Sequence, residues 1–236
     1  LTPEALSLGK EIVVTAPKEL IQMDVTGSQH EVRGDLIKSM PVNTPEEIVN
    51  LQPGVVEGHI RGGRETEVLY LVDGVPVQEA IMGGRGITIP NVSIADMTIL
   101  TGGFNAEYGN AMSGVINILS HEGTHEHKFY AEGLSDAAGV YPGSWDDTHF
   151  DRFRNMEVAA GGPVIDGIYY YVAGQYIASD TRWRRPFRSA FDGPIEQRMH
   201  GNAKLSINFH PTQKLVLQAL YSSSDWRAYE HRWIYN

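Results

Sequence analysis

The chain has 236 residues and a formal net charge of -10, with a sequence isoelectric point of about 5.3. This acidic balance argues against a nucleic-acid-binding protein, which normally carries a basic patch. The sequence contains no cysteine, which excludes a disulfide framework and any thiolate metal site. No stretch approaches the roughly 18 apolar residues of a membrane helix, but a membrane β-strand leaves a weaker pattern of about 10 alternating residues.

A short run rich in β-branched residues lies near the N-terminus. It consists of Glu11, Ile12, Val13, Val14, Thr15 and Ala16. Such residues favour an extended backbone, and Pro17 ends the run. Residues 17–34 are polar and irregular, which predicts a tether between this run and the next domain.

Residues 35–120 predict a compact α+β domain. Thr44 and Pro45 supply an N-cap and a first helical residue, and the helix should end near Leu51. Strands are predicted at 68–72, 75–77, 94–100 and 115–119. The first two strands should be joined by a tight turn at Asp73-Gly74.

The residues after 120 follow a different pattern. Apolar or small residues alternate with polar ones along 199–209, and weaker alternation recurs along 156–160, 170–176 and 215–221. Short connections alternate with long polar segments at 136–152 and 181–197, as they do in outer-membrane barrels. A soluble β-sandwich also alternates polar and apolar faces and stays an alternative at this point.

Three segments resemble the TonB-dependent receptors of the bacterial outer membrane, in the order that the family has them. Residues 11–16 (EIVVTA) resemble a TonB box. Residues 51–56 (LQPGVV) and 59–77 resemble the central hairpin of the plug domain, and residues 89–118 resemble its end. Each segment alone is a weak signal, but the ordered set followed by alternating strands is specific.

The resemblance implies an α+β plug domain followed by antiparallel transmembrane strands of a barrel of about 22 strands. About five strands are recognisable here, and an open sheet edge cannot lie in lipid, so we expect the other strands outside this sequence. The implied division is a TonB box at 11–16, a tether at 17–34, a plug at 35–120 and barrel strands at 121–236. Residues 1–10 resemble the last strand of a carboxypeptidase-regulatory-like domain, which predicts a further domain upstream.

The family implies a transporter of the outer membrane with a periplasmic N-terminal segment, and not an enzyme. The periplasmic domain of TonB would pair with residues 11–16 by strand addition and drive the import of a scarce nutrient. An iron chelate, a cobalamin, an oligosaccharide or a peptide would each fit. Lipid and lipopolysaccharide would surround the barrel. The alternatives are a receptor-like scaffold that binds a surface lipoprotein, and a soluble β-rich binding protein.

The resemblance also implies contacts between the plug and the barrel wall. Arg61 and Arg64 on one side and the carboxylate of Glu107 on the other would pair with charged groups of the wall. Ordinary surface ion pairs are the alternative for these three residues.

Two other patterns could bind ligands. Residues 121–127 contain three histidines and two glutamates, but they occupy a junction where a polar linker is expected, so we predict no metal and no cofactor. Arginines 182, 184, 185 and 188 could contact lipopolysaccharide phosphates or an anionic substrate, or could belong to a solvated loop.

Overall fold

The chain forms an N-terminal α+β domain and a C-terminal antiparallel sheet. The computed structural model describes residues 28–79, 84–103, 108–109, 111–136, 153–180, 194–210 and 212–227. The run at residues 11–16 and residue Glu107 lie outside this described part.

Two short helices and a five-stranded mixed sheet make up the N-terminal domain. Its elements are β1 (Ser28–Arg33), α1 (Gly34–Ile37), α2 (Pro45–Asn50), β2 (Val55–Val56), β3 (His59–Ile60), β4 (Val68–Val72), β5 (Val75–Pro76), β6 (Ile94–Gly102) and β7 (Gly114–Ser120). The sheet has the order β1-β6-β7-β4-β5, in which β4 and β7 are parallel and the other neighbours antiparallel. Strands β2 and β3 form a separate hairpin. The core of the domain is apolar and is built largely from Ile and Val of the helices and of β4, β6 and β7.

The predicted helix and strands of this domain are confirmed, with α2 ending at Asn50 and β5 at Pro76. One expectation is wrong: residues 28–33, which we assigned to a tether, form strand β1 and pair with β6. Only Val32 of this strand is buried, because β1 is an edge strand held mainly by backbone hydrogen bonds. Its side chains therefore show no alternating apolar pattern.

Five consecutive strands form the C-terminal sheet, each antiparallel to the next. They are β8 (Lys128–Ser135), β9 (Arg154–Ile165), β10 (Ile168–Ser179), β11 (Glu196–His210) and β12 (Gln213–Trp226). Strands β9 to β12 have 12 to 15 residues, which exceeds the roughly 9–11 that a tilted strand needs to cross a bilayer. None of the helices in the described residues is long and apolar enough to span a membrane.

The two faces of this sheet differ sharply in polarity. Polar side chains point toward the N-terminal domain and are buried; they belong to Asn155, Glu157, Gln175, His200, Asn202, Lys204 and Ser206. Apolar side chains point away from it, and Met156 and Val172 are 59% and 49% exposed. A soluble sandwich buries its apolar face, so this arrangement contradicts the sandwich alternative and fits strands whose outer face meets lipid.

Candidate functional site

Within the part of the chain that the structure describes, polar contacts join the N-terminal domain to the inner face of the C-terminal sheet in two places. The first, the Asp73 docking site, comprises Asp73 and Ser120 of the domain and Lys204 and Gln218 of the sheet. The second, the Glu157 docking site, comprises Asn43 and Val92 of the domain and Asn155, Glu157, Tyr171 and Gln175 of the sheet.

The Asp73 docking site begins with the geometry of a hairpin turn. Strands β4 and β5 are joined by Asp73 and Gly74, whose φ angles are 51° and 81°. Two-residue hairpins of this kind need positive φ at both central residues, and Asp, Asn and Gly tolerate that conformation best. The turn therefore explains why a small polar residue stands at position 73, but it does not by itself require a charge.

The charge is explained by what surrounds the carboxylate of Asp73. Its Oδ1 accepts hydrogen bonds from the Ser120 backbone N–H and from Lys204 Nζ, both at 3.0 Å. Its Oδ2 accepts from Ser120 Oγ at 2.7 Å and from Gln218 Nε2 at 2.8 Å. Four donors match the roughly four acceptor positions of an ionised carboxyl group. Burial raises the pKa of Asp73, but the hydrogen bonds from Ser120, Lys204 and Gln218 outweigh it, and the net pKa lies below its ordinary value.

Lys204 projects from the middle of β11 and its side chain is only 2% exposed. Besides Asp73, its Nζ donates to the backbone carbonyl of Ser120 at 3.2 Å. A buried ammonium group that loses its carboxylate typically costs about 3–5 kcal/mol, because the remaining charge stays uncompensated. Lys204 therefore ties the β4–β5 turn and the end of β7 to the same point on the sheet.

The Glu157 docking site fixes backbone groups of the domain to side chains of the sheet. Glu157 Oε2 accepts from the Val92 N–H at 3.1 Å, and the Tyr171 hydroxyl donates to the Val92 carbonyl at 2.9 Å. Gln175 Nε2 donates to Glu157 Oε1 at 2.6 Å and to the Asn43 carbonyl at 2.9 Å. These contacts hold the domain by its backbone, and the hydrogen bond from Asn155 Nδ2 to Asn43 Oδ1 at 3.1 Å adds a side-chain contact.

Apolar contact between the two units is limited by comparison. Val92 packs with Ala159, Tyr171 and Ala173 of the sheet in a small cluster, and Leu220 packs against the main core of the domain. An interface held chiefly by hydrogen bonds and an ion pair can separate without exposing a large apolar surface to water. The domain has an apolar core of its own, built from its helices and sheet.

Arg61 and Arg64, which we predicted to contact the barrel wall, lie in the segment that follows strand β3. Arg61 has a positive φ of 50° in the turn after β3, and its Nη2 donates to Ser28 Oγ of β1 at 2.6 Å. The Arg64 backbone N–H donates to Glu67 Oε2 at 3.1 Å. These contacts are internal to the domain, and the predicted wall contacts of Arg61, Arg64 and Glu107 stay predictions.

The sequence reasoning missed Asp73, Glu157 and Lys204 as docking residues. A usable signal was present, because Glu157 and Lys204 stand at the polar positions of strands whose other face is apolar. A charged residue in the middle of such a strand needs a partner. The partner itself could not be read from the sequence, since Asp73 and Lys204 are 131 residues apart.

The histidines of the junction at 121–127 lie against three different tyrosines. His121 contacts Tyr171, His125 contacts Tyr169 and His127 contacts Tyr170, with ring centroids 4.7 to 6.2 Å apart. The His125 ring and the Tyr169 hydroxyl are also hydrogen-bonded at 2.8 Å. Within the described residues, no group of three metal-ligating side chains comes together.

Comparisons with known proteins agree with this architecture. The family model described as "TonB-dependent Receptor Plug Domain" matches residues 21–115. The TonB-dependent transporter Oar of Myxococcus xanthus is 26% identical in a match that covers 78% of this chain and 19% of that protein. The chain therefore spans about a fifth of the length of this curated relative.

Solved structures share the fold. The siderophore receptor PirA from Pseudomonas aeruginosa matches with a TM-score of 0.63 at 21% identity, over 83% of this chain and 35% of that one. The ferric yersiniabactin uptake receptor FyuA from Yersinia pestis matches with a TM-score of 0.56 at 16% identity, over 84% and 32%. At these identities the likeness establishes the fold and nothing finer.

These relatives are transporters and receptors, not enzymes. The matched plug domain, the polar inner face and the apolar outer face of the sheet agree on one assignment. Residues 21–115 thus match the plug domain of TonB-dependent receptors, and the antiparallel strands that follow resemble those of TonB-dependent receptor barrels in fold.

Proposed function

We propose that the full-length protein imports a scarce nutrient across the outer membrane in a TonB-dependent manner. The observation that carries the proposal is the polar docking of a separately folded plug on the wall strands. A plug held in this way can be displaced and redocked, which active transport requires and a permanent structural closure does not. The similarity to a TonB-dependent transporter supports the same reading.

The coupling element of this proposal is the segment at residues 11–16. It precedes β1, so a force applied to it reaches the plug through its edge strand. Strand addition uses backbone N–H and C=O groups, so the identity of the side chains matters less than the freedom of the backbone to pair. An iron chelate, a cobalamin, an oligosaccharide and a peptide stay equal candidates for the nutrient.

The test compares Val13→Pro with Val13→Ile in the full-length protein. Proline removes a donor from the middle of the paired segment, so Val13→Pro should abolish binding of the purified periplasmic domain of TonB, measured by calorimetry. Val13→Ile keeps the backbone donor and a β-branched side chain and should bind within about twofold of the unaltered protein, a change well under the 1.4 kcal/mol that separates tenfold differences.

Accumulation of labelled candidate nutrients in cells completes the test. Val13→Pro should stop energised accumulation but leave binding of the nutrient at the cell surface intact. Accumulation that survives Val13→Pro would contradict the proposed coupling, and loss of surface binding would show that the segment has a structural role instead.

A further inference from the structure

We propose that a calcium ion binds in a cavity between the plug and strands β8 and β9, where the carboxylates of Glu132 and Glu157 hold it. The ion contacts side chains of both the plug and the wall, so it strengthens their docking. This inference goes beyond the proposed import function and does not depend on it, because its tests measure binding and stability without transport.

The cavity lies between two segments of the plug and two wall strands. Residues of the segments 37–43 and 91–92 line it on the plug side, and residues of β8 and β9 line it on the wall side. Its volume of about 360 Å³ is room for an ion with several bound waters. Besides the Tyr130 hydroxyl, its side-chain oxygens belong to two carboxylates and three amides, those of Glu132, Glu157, Asn43, Asn91 and Asn155.

The two carboxylates stand directly opposite each other on neighbouring strands. Glu132 of β8 pairs in register with Glu157 of β9, and Glu157 is 8% exposed. Residues paired in this way project on the same face with Cβ atoms about 4.5–5.5 Å apart, and like charges there destabilise the sheet. The Tyr130 hydroxyl donates to Glu132 but brings no positive charge. A cation between the two carboxylates removes their repulsion.

The described part of the chain does not supply that cation as an ion pair. No lysine or arginine described in the structure lies within ion-pair distance of Glu132 or Glu157. Lys38 lines the cavity, but its ammonium group lies over the ring of Tyr130, 5.5 Å from the ring centre. With both carboxylates ionised, these three charged groups leave the cavity negative.

A buried oxygen atom without a partner is an independent sign of a ligand. Asn91 lines the cavity and is 7% exposed, and its Nδ2 donates to the Val42 carbonyl at 3.2 Å. This bond fixes the orientation of the amide, and Asn91 Oδ1 then has no hydrogen-bond partner among the described residues. A buried acceptor of this kind needs a donor or a cation.

Glu157 can bind a cation while it keeps its contacts to the plug and the wall. Its Oε1 accepts from Gln175 and its Oε2 accepts from the Val92 N–H. An ionised carboxyl group has about four acceptor positions, so these two hydrogen bonds do not exhaust it.

The available ligands favour calcium over other metals. No group of three His, Cys, Asp or Glu side chains comes together in the described residues, so the site relies on amide oxygens as well as carboxylates. Calcium accepts about six to eight such oxygens in a flexible arrangement, whereas zinc prefers nitrogen and sulfur and magnesium demands a regular octahedron. Two carboxylates are few, so the Kd should be about 0.1–1 mM, as in extracellular calcium-binding modules.

The first experiment measures Ca²⁺ binding to the full-length protein in detergent by calorimetry, after a chelator has removed bound metal. Glu132→Gln should raise the Kd by at least about tenfold, because it removes one of the two charged ligands. Glu157→Gln should do the same, while its amide oxygen still accepts from the Val92 N–H. Lys38→Met should lower the Kd, because it removes a competing positive charge.

The matched control is Glu196→Gln. Glu196 lies on β11, forms an ion pair with Arg198 and is outside the cavity, so this change should leave the Kd as it is. Calcium sites elsewhere in the full-length protein are common to all variants. The difference between Glu132→Gln and Glu196→Gln therefore reports this cavity.

The second experiment measures whether the ion joins the plug to the wall. Ala173 of β10 is 4% exposed and packs with Val92 of the plug, so a maleimide should label Ala173→Cys when the plug leaves the wall. Any other cysteine of the full-length protein is removed, and labelling at increasing urea concentration gives the midpoint for plug release. Calcium at about ten times the Kd should raise this midpoint by about 0.5–1.5 M urea, but not when Glu132→Gln is present.

Three results would overturn the proposal. Unchanged calcium binding in Glu132→Gln and Glu157→Gln would show that the two carboxylates share a proton and not a metal ion. An equal loss of binding in Glu196→Gln would show a response to charge in general. A midpoint for plug release that calcium does not raise, or raises equally in Glu132→Gln, would place the ion outside the contact between plug and wall.

Discussion

At the scale of single residues, the tyrosines on the two faces of strand β10 have different roles. Tyr169 and Tyr171 of β10 point inward and use their hydroxyl groups, whereas Tyr170 and Tyr176 stand on the outward face of the same strand. The Tyr171 hydroxyl donates to a buried backbone carbonyl of the plug, which has to be satisfied when water is excluded. The alternation of the strand thus decides whether a tyrosine hydroxyl contributes to docking.

Tyr171→Phe should therefore weaken plug docking, and Tyr176→Phe should not. The first change leaves the Val92 carbonyl without the hydroxyl donor and should cost about 0.5–1.5 kcal/mol, the usual net value of one hydrogen bond. The second removes a hydroxyl from the outward face and should stay within about 0.5 kcal/mol of zero. Urea titration of plug unfolding in the full-length protein gives both values, and equal losses would contradict the assigned facing.

At the scale of whole elements, the strands of the C-terminal sheet bury polar side chains and expose apolar ones, the opposite of strands in soluble proteins. On β11 the polar residues Asn202 and Lys204 are buried against the plug, whereas Met199 on the opposite face is 44% exposed. Alternation alone suggests that an arginine at Asn202 would be harmless, as in a water-filled channel. The structure argues otherwise, because Asn202 is 2% exposed and lies 3.3 Å from Gln218 within the docking interface. The proper control for a lipid-facing substitution is another outward residue at a different depth.

Ala203→Arg and Leu215→Arg form such a pair. Ala203 lies in the middle of β11 between Val172 and Ala219, and Leu215 lies near the turn that begins β12. Arginine should cost about 2–4 kcal/mol near the bilayer midplane and about 0–1 kcal/mol near the interface. Folding of the full-length protein into lipid bilayers, measured with each variant, should therefore rank Ala203→Arg as the more damaging, and the reverse order would place β11 at another depth.

The elements also show how far the sequence could predict this fold. Strands β4, β6 and β7 were predictable because each contains a short run rich in Val, Ile and Leu, and β11 because apolar or small residues alternate with polar ones from Met199 to Phe209. Strand β1 was not, since an edge strand is specified by backbone pairing with β6 and leaves little trace in its side chains. The docking sites were half predictable: charged residues stood out on the wall strands, but their partners on the plug depend on tertiary contacts.

At the scale of the whole molecule, the core of the plug and the contact between plug and wall are stabilised by different interactions. The plug has an apolar core of its own, in which Ile48, Ile60, Ile94 and Ile116 are at most 1% exposed. Among the described residues the contact between plug and wall is chiefly polar and includes the buried ion pair of Lys204 and Asp73. Apolar burial is insensitive to pH, but an ion pair persists only while its acid stays ionised. Acidification should therefore weaken the contact between plug and wall more than it weakens the core of the plug.

The last prediction concerns the pH range in which Asp73 holds the plug. The folded protein keeps the pKa of Asp73 below its ordinary value of 3.8, so its ionised form favours the docked state. This stabilisation is complete above the pKa of Asp73 in the unfolded chain and is lost as the pH falls through its lower pKa in the folded protein.

The urea midpoint for plug release should exceed that of Asp73→Asn by a constant amount between about pH 7 and pH 5, and the difference should shrink below about pH 4. Asp73→Asn is the matched control because asparagine accepts the same positive φ and carries no group that titrates in this range. Other carboxyl groups titrate in both proteins, so the difference between the two midpoints isolates Asp73. A difference that already shrinks between pH 7 and pH 5 would assign the sensitivity to another group and would contradict the role given to this carboxylate.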